Sequence, residues 1–116
     1  MPENTILRKL DDLVARFEEI SFLVTDPAVI VDQKRFVKLA KEYKDLDDIM
    51  KARKEYLQVL TNMEEEKEIL SNEQDPEMRA MAREEIDSGQ KRLLVLDEEI
   101  KLLEISITSP AYSSER

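Results

Sequence analysis

The stretch SNEQDPE, residues 71–77, decides the fold because it separates two long segments that both carry helical apolar spacing. Asp75 is a favourable N-cap and Pro76 a favourable first helical residue. Glu77 then places negative charge at the positive start of a helix. Because the break is short, we expect the helices on its two sides to pack as antiparallel neighbours. The sequence therefore predicts a helical hairpin that turns at residues 71–76.

Upstream of this break, residues 32–70 carry a stripe of mainly apolar residues at helical spacing. Arg53 interrupts the stripe, and because the segment contains neither Gly nor Pro, no residue type accounts for a bend there. We therefore predict one helix of roughly 40 residues from the uninterrupted helical pattern. The stripe positions are Phe36, Leu39, Tyr43, Leu46, Met50, Tyr56, Leu60, Met63, Lys67 and Leu70.

Downstream of the break, apolar residues recur at alternating steps of four and three, which is typical of a coiled-coil seam. Gly89 lies on this seam, and two interpretations of it stay open. The glycine lets a neighbouring helix approach closely, or it is a weak point that costs about 1 kcal/mol relative to alanine. The seam positions are Ala82, Ile86, Gly89, Leu93, Leu96, Ile100, Leu103 and Ile107.

Residues 4–24 form a further amphipathic segment, whose stripe is Ile6, Leu10, Leu13, Phe17, Ile20 and Val24. Asp26 and Pro27 end this segment and open a short turn of helix through Ile30. We predict an all-α fold, an elongated three-helix arrangement dominated by a long, coiled-coil-like antiparallel hairpin. Residues 1–105 are expected to form the helical domain, and residues 106–116, rich in serine, a disordered tail.

The residue inventory argues against catalysis. The 116 residues contain no histidine and no cysteine, so the usual neutral-pH base and the thiolate nucleophile are both missing. Glu64–Glu66 and Glu84–Glu85 are better explained as solvated faces than as a metal site, since consecutive residues point in different directions. We predict a binding protein rather than an enzyme, with no cofactor. Without an apolar run of about 20 residues or a signal peptide, we expect it to be cytoplasmic.

One region departs from the acidic character of the chain, whose net charge is -9. Residues 32–54 contain eight Lys or Arg against five Asp or Glu, a local charge of +3. The spacing of Lys34, Lys38 and Lys41 places them on one helical face, with Arg35 nearby. One interpretation is a solvated face that balances acidic residues elsewhere. The other is a docking patch for an anionic partner, either RNA or an acidic protein surface.

Two blocks of sequence carry a family resemblance: DPAVIVDQKRFVKLAKEYKDL at residues 26–46 and DPEMRAMAREEI at residues 75–86. Together they resemble the N-terminal domain of bacterial class-I peptide chain release factors. The type-two factors of that family usually have a tryptophan shortly after the first Asp-Pro, and this chain has none. The resemblance therefore favours the type-one factors. It covers residues 5–104, most of the chain, since the two blocks occur in order with a long helical segment between them.

The resemblance implies that the complete protein recognises the stop codons UAA and UAG and promotes hydrolysis of peptidyl-tRNA on the ribosome. Neither the family's Gly-Gly-Gln motif nor its codon-reading tripeptide occurs here, and residues 104–116 depart from the family pattern. This stretch would then be a non-catalytic binding domain without sequence-specific reading of nucleic acid. The implied partners are the stalk base of the large ribosomal subunit and the methyltransferase that modifies the Gly-Gly-Gln glutamine. The alternative is a free-standing helical adaptor or coiled-coil assembly protein.

Overall fold

The computed structural model describes residues 5–107, which contain four helices and no strand. The helices are α1 (Thr5–Leu23), α2 (Pro27–Ile30), α3 (Gln33–Asn72) and α4 (Pro76–Ile107). The predicted all-α class is confirmed, and α3 is continuous over 40 residues, including Arg53. The predicted boundary at residue 105 falls within α4, and residues 108–116 of the predicted tail lie outside the described residues.

Aspartates cap the three later helices. The Asp26 carboxylate accepts a hydrogen bond of 2.9 Å from the backbone N–H of Ala28, at the start of α2. Asp32 accepts from the N–H of Arg35 at 3.3 Å, and Asp75 accepts from the N–H of Glu77 at 3.0 Å. Each carboxylate satisfies an N–H group that has no partner within its own helix, so the caps set where the helices begin.

The turn between α3 and α4 is closed by an arginine on the second helix of the hairpin. The Nη1 group of Arg79 donates to the carbonyl oxygen of Leu70, and to that of Glu73 at 3.1 Å. These carbonyls lie at the end of α3, where the helix itself supplies no donors. The Glu73 carboxylate accepts from the N–H groups of Gln74 and Asp75, each at 3.1 Å. The turn is therefore stabilised by the Arg79 side chain of α4 and by the Glu73 side chain of the turn itself.

Contacts divide the described chain into two compact units. The first unit contains the residues up to Arg53 and those from Ile100 onward, and the second unit contains Lys54–Glu99. The division also separates charge. Residues 54–99 contain six Lys or Arg and 14 Asp or Glu, a net charge of -8, which leaves -1 for the rest of the chain.

The first unit has a conventional aliphatic and aromatic core. Four buried residues form its centre, namely Ile20, Val29, Leu39 and Leu46. The rings of Phe17 and Tyr43 stack at its edge, with their centroids 5.2 Å apart. Because the core draws side chains from α1, α2 and α3, it holds these three helices together.

Two arginine pairs set the direction of α1 against α3. Arg16 donates two hydrogen bonds, of 2.7 and 2.9 Å, to the carboxylate of Glu42, and it also donates to Glu19. Arg53 donates to Asp11 at 3.1 and 2.8 Å. Since the earlier α1 residue pairs with the later α3 residue, the two helices are antiparallel.

The second unit consists of the facing parts of α3 and α4. Its buried side chains are Tyr56, Met63, Ala82 and Leu96. Arg92 donates a hydrogen bond of 2.9 Å to Glu55 near one end, and Arg79 contacts the end of α3 at the other. The predicted antiparallel hairpin is therefore confirmed within this unit.

Candidate functional site

The basic residues singled out from the sequence lie in the first turns of α3, and all are exposed. At about 100° of rotation per residue, Lys34, Lys38 and Lys41 fall within an arc of roughly 60°. Arg35 lies about 100° around the helix from Lys34. The helix therefore brings the three lysines together on one face, here called the basic face, and leaves Arg35 beside it.

The core dictates where the basic face points. Phe36, Leu39 and Tyr43 pack in the core cluster of the first unit, so their side of α3 faces inward. The three lysines lie on the opposite side by helical rotation. The Asp32 cap holds the first turn of α3, which carries Lys34. A rigid helix therefore presents the lysine side chains to solvent.

An exposed valine interrupts the lysines. A shallow depression on the surface is lined by Gln33, Lys34, Val37 and Lys38. Val37 is 60% exposed, although it is a large apolar residue. Val37 was not predicted as a functional residue. Its position off the buried stripe of α3 is the feature of the sequence that indicates its exposure. The depression combines two cations with an apolar spot, which suits contact with a macromolecular surface better than capture of a free ion.

Part of the positive charge of residues 32–54 is used inside the first unit. Arg53 pairs with Asp11, and Lys51 lies 3.2 Å from the carboxylate of Asp47. Arg53 and Lys51 therefore fit the balancing interpretation, and for the basic face both interpretations stay predictions. The basic face lies further toward the start of α3, where Lys34 and Lys38 are exposed.

Arg16 has a structural role close to this region. Its hydrogen bonds to Glu42 hold the pKa of its guanidinium above the usual value, although partial burial acts in the opposite direction. The Glu42 side chain is only 19% exposed, so the pair is better shielded from solvent than a typical surface ion pair. This pair fixes α1 against α3 below the basic face.

The carboxylates of the described chain do not converge on a metal site. Among residues 5–107, no group of three or more acidic side chains is arranged to hold a metal ion. None of the described helices is long and apolar enough to cross a membrane.

Comparison with known proteins places the chain in a family. Residues 13–109 match the PCRF domain. The chain is 72% identical over 100 residues to peptide chain release factor 1 of Bacteroides fragilis strain YCH46, covering 86% of this chain and 27% of that protein. It is 62% identical over 103 residues to that of Parabacteroides distasonis, covering 89% of this chain and 28% of the relative.

A more distant relative, from Lachnoclostridium phytofermentans, bears the same name and is 44% identical over 95 residues, covering 82% of this chain and 26% of the relative. The chain thus spans about a quarter of the length of the curated relatives it matches. No solved structure matches it. Because the matched region includes most of α1 and all of α2, α3 and α4, this chain belongs to the PCRF domain family of peptide chain release factors.

Proposed function

We propose that this chain is the helical binding domain of a translation termination factor of the release factor 1 type, acting in the cytoplasm. The observation that carries the proposal is the 72% identity over 100 residues to a protein named peptide chain release factor 1. In this proposal the complete factor recognises UAA and UAG and promotes peptidyl-tRNA hydrolysis. The chain itself contributes binding and no catalysis, since it lacks a Gly-Gly-Gln motif.

Within this function, the basic face is the proposed contact with the ribosome, at the stalk base of the large subunit. Lys34, Lys38 and Lys41 are exposed on one side of α3 and stand opposite the core. Ribosomal RNA is polyanionic, so a local cluster of lysines suits it even on an acidic chain. Arg35 is assigned to the edge of this contact. The release-factor glutamine methyltransferase is a second proposed partner of the same domain.

Competition tests the proposed function. An excess of this chain should slow the release of labelled peptide by intact Bacteroides fragilis release factor 1 on ribosomes stopped at UAA. The inhibition should require the basic face, because a domain that docks through it occupies the same ribosomal surface. The triple variant Lys34→Glu, Lys38→Glu and Lys41→Glu should inhibit at least about tenfold less, with the loss greatest at low salt.

A matched variant separates docking from overall charge. Lys9, Lys54 and Lys91 are exposed and are not part of the basic face. Changing these three lysines to Glu alters the net charge by the same amount. We expect this control to inhibit nearly as well as the unchanged chain. If both variants lose the same amount of inhibition, the basic face is not the contact. Absence of inhibition by the unchanged chain would favour a free-standing adaptor instead.

A further inference from the structure

A groove between α3 and α4 in the second unit has an apolar base. Val59, Met63 and Ile69 contribute this base from α3, and Ile69 is 38% exposed. Gly89 lines the groove from α4. A Cβ atom at Gly89 would lie 2.6 Å from Cγ of Met63, so only glycine allows the two helices this approach without a shift. The groove therefore has an apolar strip among polar residues, in which Ile69 is exposed and Met63 is buried.

Carboxylates surround this apolar base. Glu65, Glu66 and Glu85 line the same groove. A neighbouring depression shares Glu65 and Ile69 and adds Glu68 and Glu73. These two adjoining features, defined here as the acidic groove, therefore combine five glutamates with an apolar base.

The cation that lines the acidic groove is already paired. Arg92 donates to Glu55 at 2.9 Å, and this hydrogen bond holds the pKa of Glu55 below its usual value. Because its charge is shared with Glu55, Arg92 offsets little of the negative potential of the five glutamates. The second unit as a whole has a net charge of -8, which includes these five glutamates. The negative charge of the groove therefore favours a cationic ligand.

We propose that the acidic groove binds an amphipathic basic helix of another protein. Apolar residues along one face of the helix would contact Ile69 and the accessible part of Val59, and flanking Lys or Arg side chains would pair with the glutamates. Val59 and Ile69 are ten residues apart on α3, or about 15 Å, which is the length of roughly ten helical residues. A polyanionic strand does not suit this surface, because the carboxylates repel phosphate.

A second copy of this chain is a less suitable occupant. Two second units, each with a net charge of -8, would repel each other on approach. The inference does not depend on the proposed function, because it concerns a different surface from the basic face. With the acidic groove on the second unit and the basic face on the first, the chain has two candidate binding surfaces of opposite charge.

A peptide of defined chemistry tests the acidic groove. The probe is a fluorescein-labelled synthetic peptide of about 14 residues. Its Leu residues recur at helical spacing and form one face, and Lys residues form the other face. We expect fluorescence anisotropy to show binding that weakens with added salt. In the control peptide every Lys is replaced by Glu, and this peptide should not bind. Equal binding of the two peptides would overturn the proposal.

Matched variants locate the charge contact. Glu65→Gln with Glu85→Gln should weaken peptide binding by about fivefold, as expected for two partly screened ion pairs. Glu84→Gln with Glu98→Gln removes the same charge at exposed positions outside the groove and should change binding less than about twofold. If both variants weaken binding equally, the attraction is nonspecific and the groove is not a site.

A second pair of variants tests the apolar contact. Ile69→Gln should weaken binding by at least about threefold, because it removes an apolar anchor from the base of the groove. Val95→Gln changes an apolar residue that is 47% exposed and does not line the groove, and it should have no effect. Circular dichroism checks that all variants remain helical. If Ile69→Gln unfolds, the two glutamate variants still decide the question.

Two further outcomes would overturn the choice of partner. If a single-stranded RNA of equal length binds more tightly than the basic peptide, and Glu65→Gln with Glu85→Gln weakens it, the occupant is a nucleic acid. If sedimentation shows a dimer of the chain that Ile69→Gln dissociates, the occupant is a second copy. Backbone amide shifts confined to α3 and α4 around Gly89 on peptide addition would support the proposal directly.

Discussion

The two units of this chain are stabilised in different ways. The first unit buries large aliphatic side chains, and Ile20, Leu46 and Ile49 are fully inaccessible to solvent. The second unit has a smaller interior, in which Ala82 and Met63 are among the buried residues and Gly89 allows close helix contact. Nearly all of the net charge lies in the second unit. The comparison indicates that α3 carries both a region with large, fully buried aliphatic side chains and a region with a smaller interior and most of the negative charge.

The largest expected effect comes from the core of the first unit. Leu46→Ala should lower the free energy of unfolding by about 2–4 kcal/mol, because a fully buried leucine leaves a cavity in a core shared by three helices. Urea unfolding followed by circular dichroism measures this loss. The control is Leu57→Ala in the second unit, where the leucine is 36% exposed and the loss should stay below about 1 kcal/mol. Equal losses at the two positions would contradict the contrast between the units.

An intermediate effect is expected at Gly89 in the second unit. Gly89→Ala gains about 1 kcal/mol of helix propensity but forces Met63 to move, and overpacking costs about 1–3 kcal/mol. We therefore expect a net loss of up to about 2 kcal/mol in the unchanged background, from the difference between these two terms. In a Met63→Ala background the obstruction disappears, and Gly89→Ala should then stabilise the chain. Thermal unfolding of the two single variants and the double variant measures the coupling.

That double-mutant cycle decides between the two interpretations of Gly89 left open by its sequence. If Gly89 allows a close helix approach, Gly89→Ala lowers the stability when residue 63 is Met and raises it in the Met63→Ala background. A simple weak point predicts stabilisation in both backgrounds, since helix propensity is local. A gain in stability from Gly89→Ala alone would therefore reject the close approach.

The smallest expected effect is the pH dependence of the pair between Glu55 and Arg92. Hydrogen bonding to Arg92 lowers the pKa of Glu55 in the folded chain, so the pair stabilises the fold at neutral pH. Its contribution is lost as the pH falls through this lowered pKa, below the usual range of a glutamate. The side chains of Arg92 and Glu55 are 41% and 44% exposed, so solvent screening keeps the effect small.

The measurement compares the unchanged chain with Glu55→Gln in urea unfolding at about pH 6 and about pH 3. The stability difference between the two proteins should shrink at the lower pH. Protonation of other carboxylates in the second unit relieves repulsion and acts in the opposite direction, but it affects both proteins alike. Glu84→Gln is the control, and its difference from the unchanged chain should depend less on pH. If the stability difference between Glu55→Gln and the unchanged chain grows as the pH falls, folding does not lower the pKa of Glu55.

The candidate site was predictable in part. The spacing of Lys34, Lys38 and Lys41 predicted a shared face, because three and four residues make about one helical turn. That they are exposed also followed from the position of the apolar stripe on the other side of α3. Val37 and the acidic groove were not predicted. Exposure of an apolar residue and the shape of a groove depend on what neighbouring helices cover, and the periodicity of one helix does not contain that information.

Local sequence determined where α2, α3 and α4 begin. Asp26, Asp32 and Asp75 supply their cap bonds to residues two or three positions away, so these signals need no tertiary structure. Helical spacing likewise determined which side of each helix is buried. The caps depend on interactions within about one turn of helix, and the apolar spacing depends only on the order of residues along the chain, so both can be read from the sequence.

Tertiary structure alone decided the partners of the arginines and the division into two units. Arg53, which interrupts the apolar stripe, pairs with Asp11 at a separation of 42 residues, and Arg16 pairs with Glu42 at a separation of 26. Arg79 crosses the turn to the end of α3. Many carboxylates in this acidic chain are equally suitable partners by charge. Only the packing of helix against helix brings a particular guanidinium within hydrogen-bonding distance of a particular oxygen.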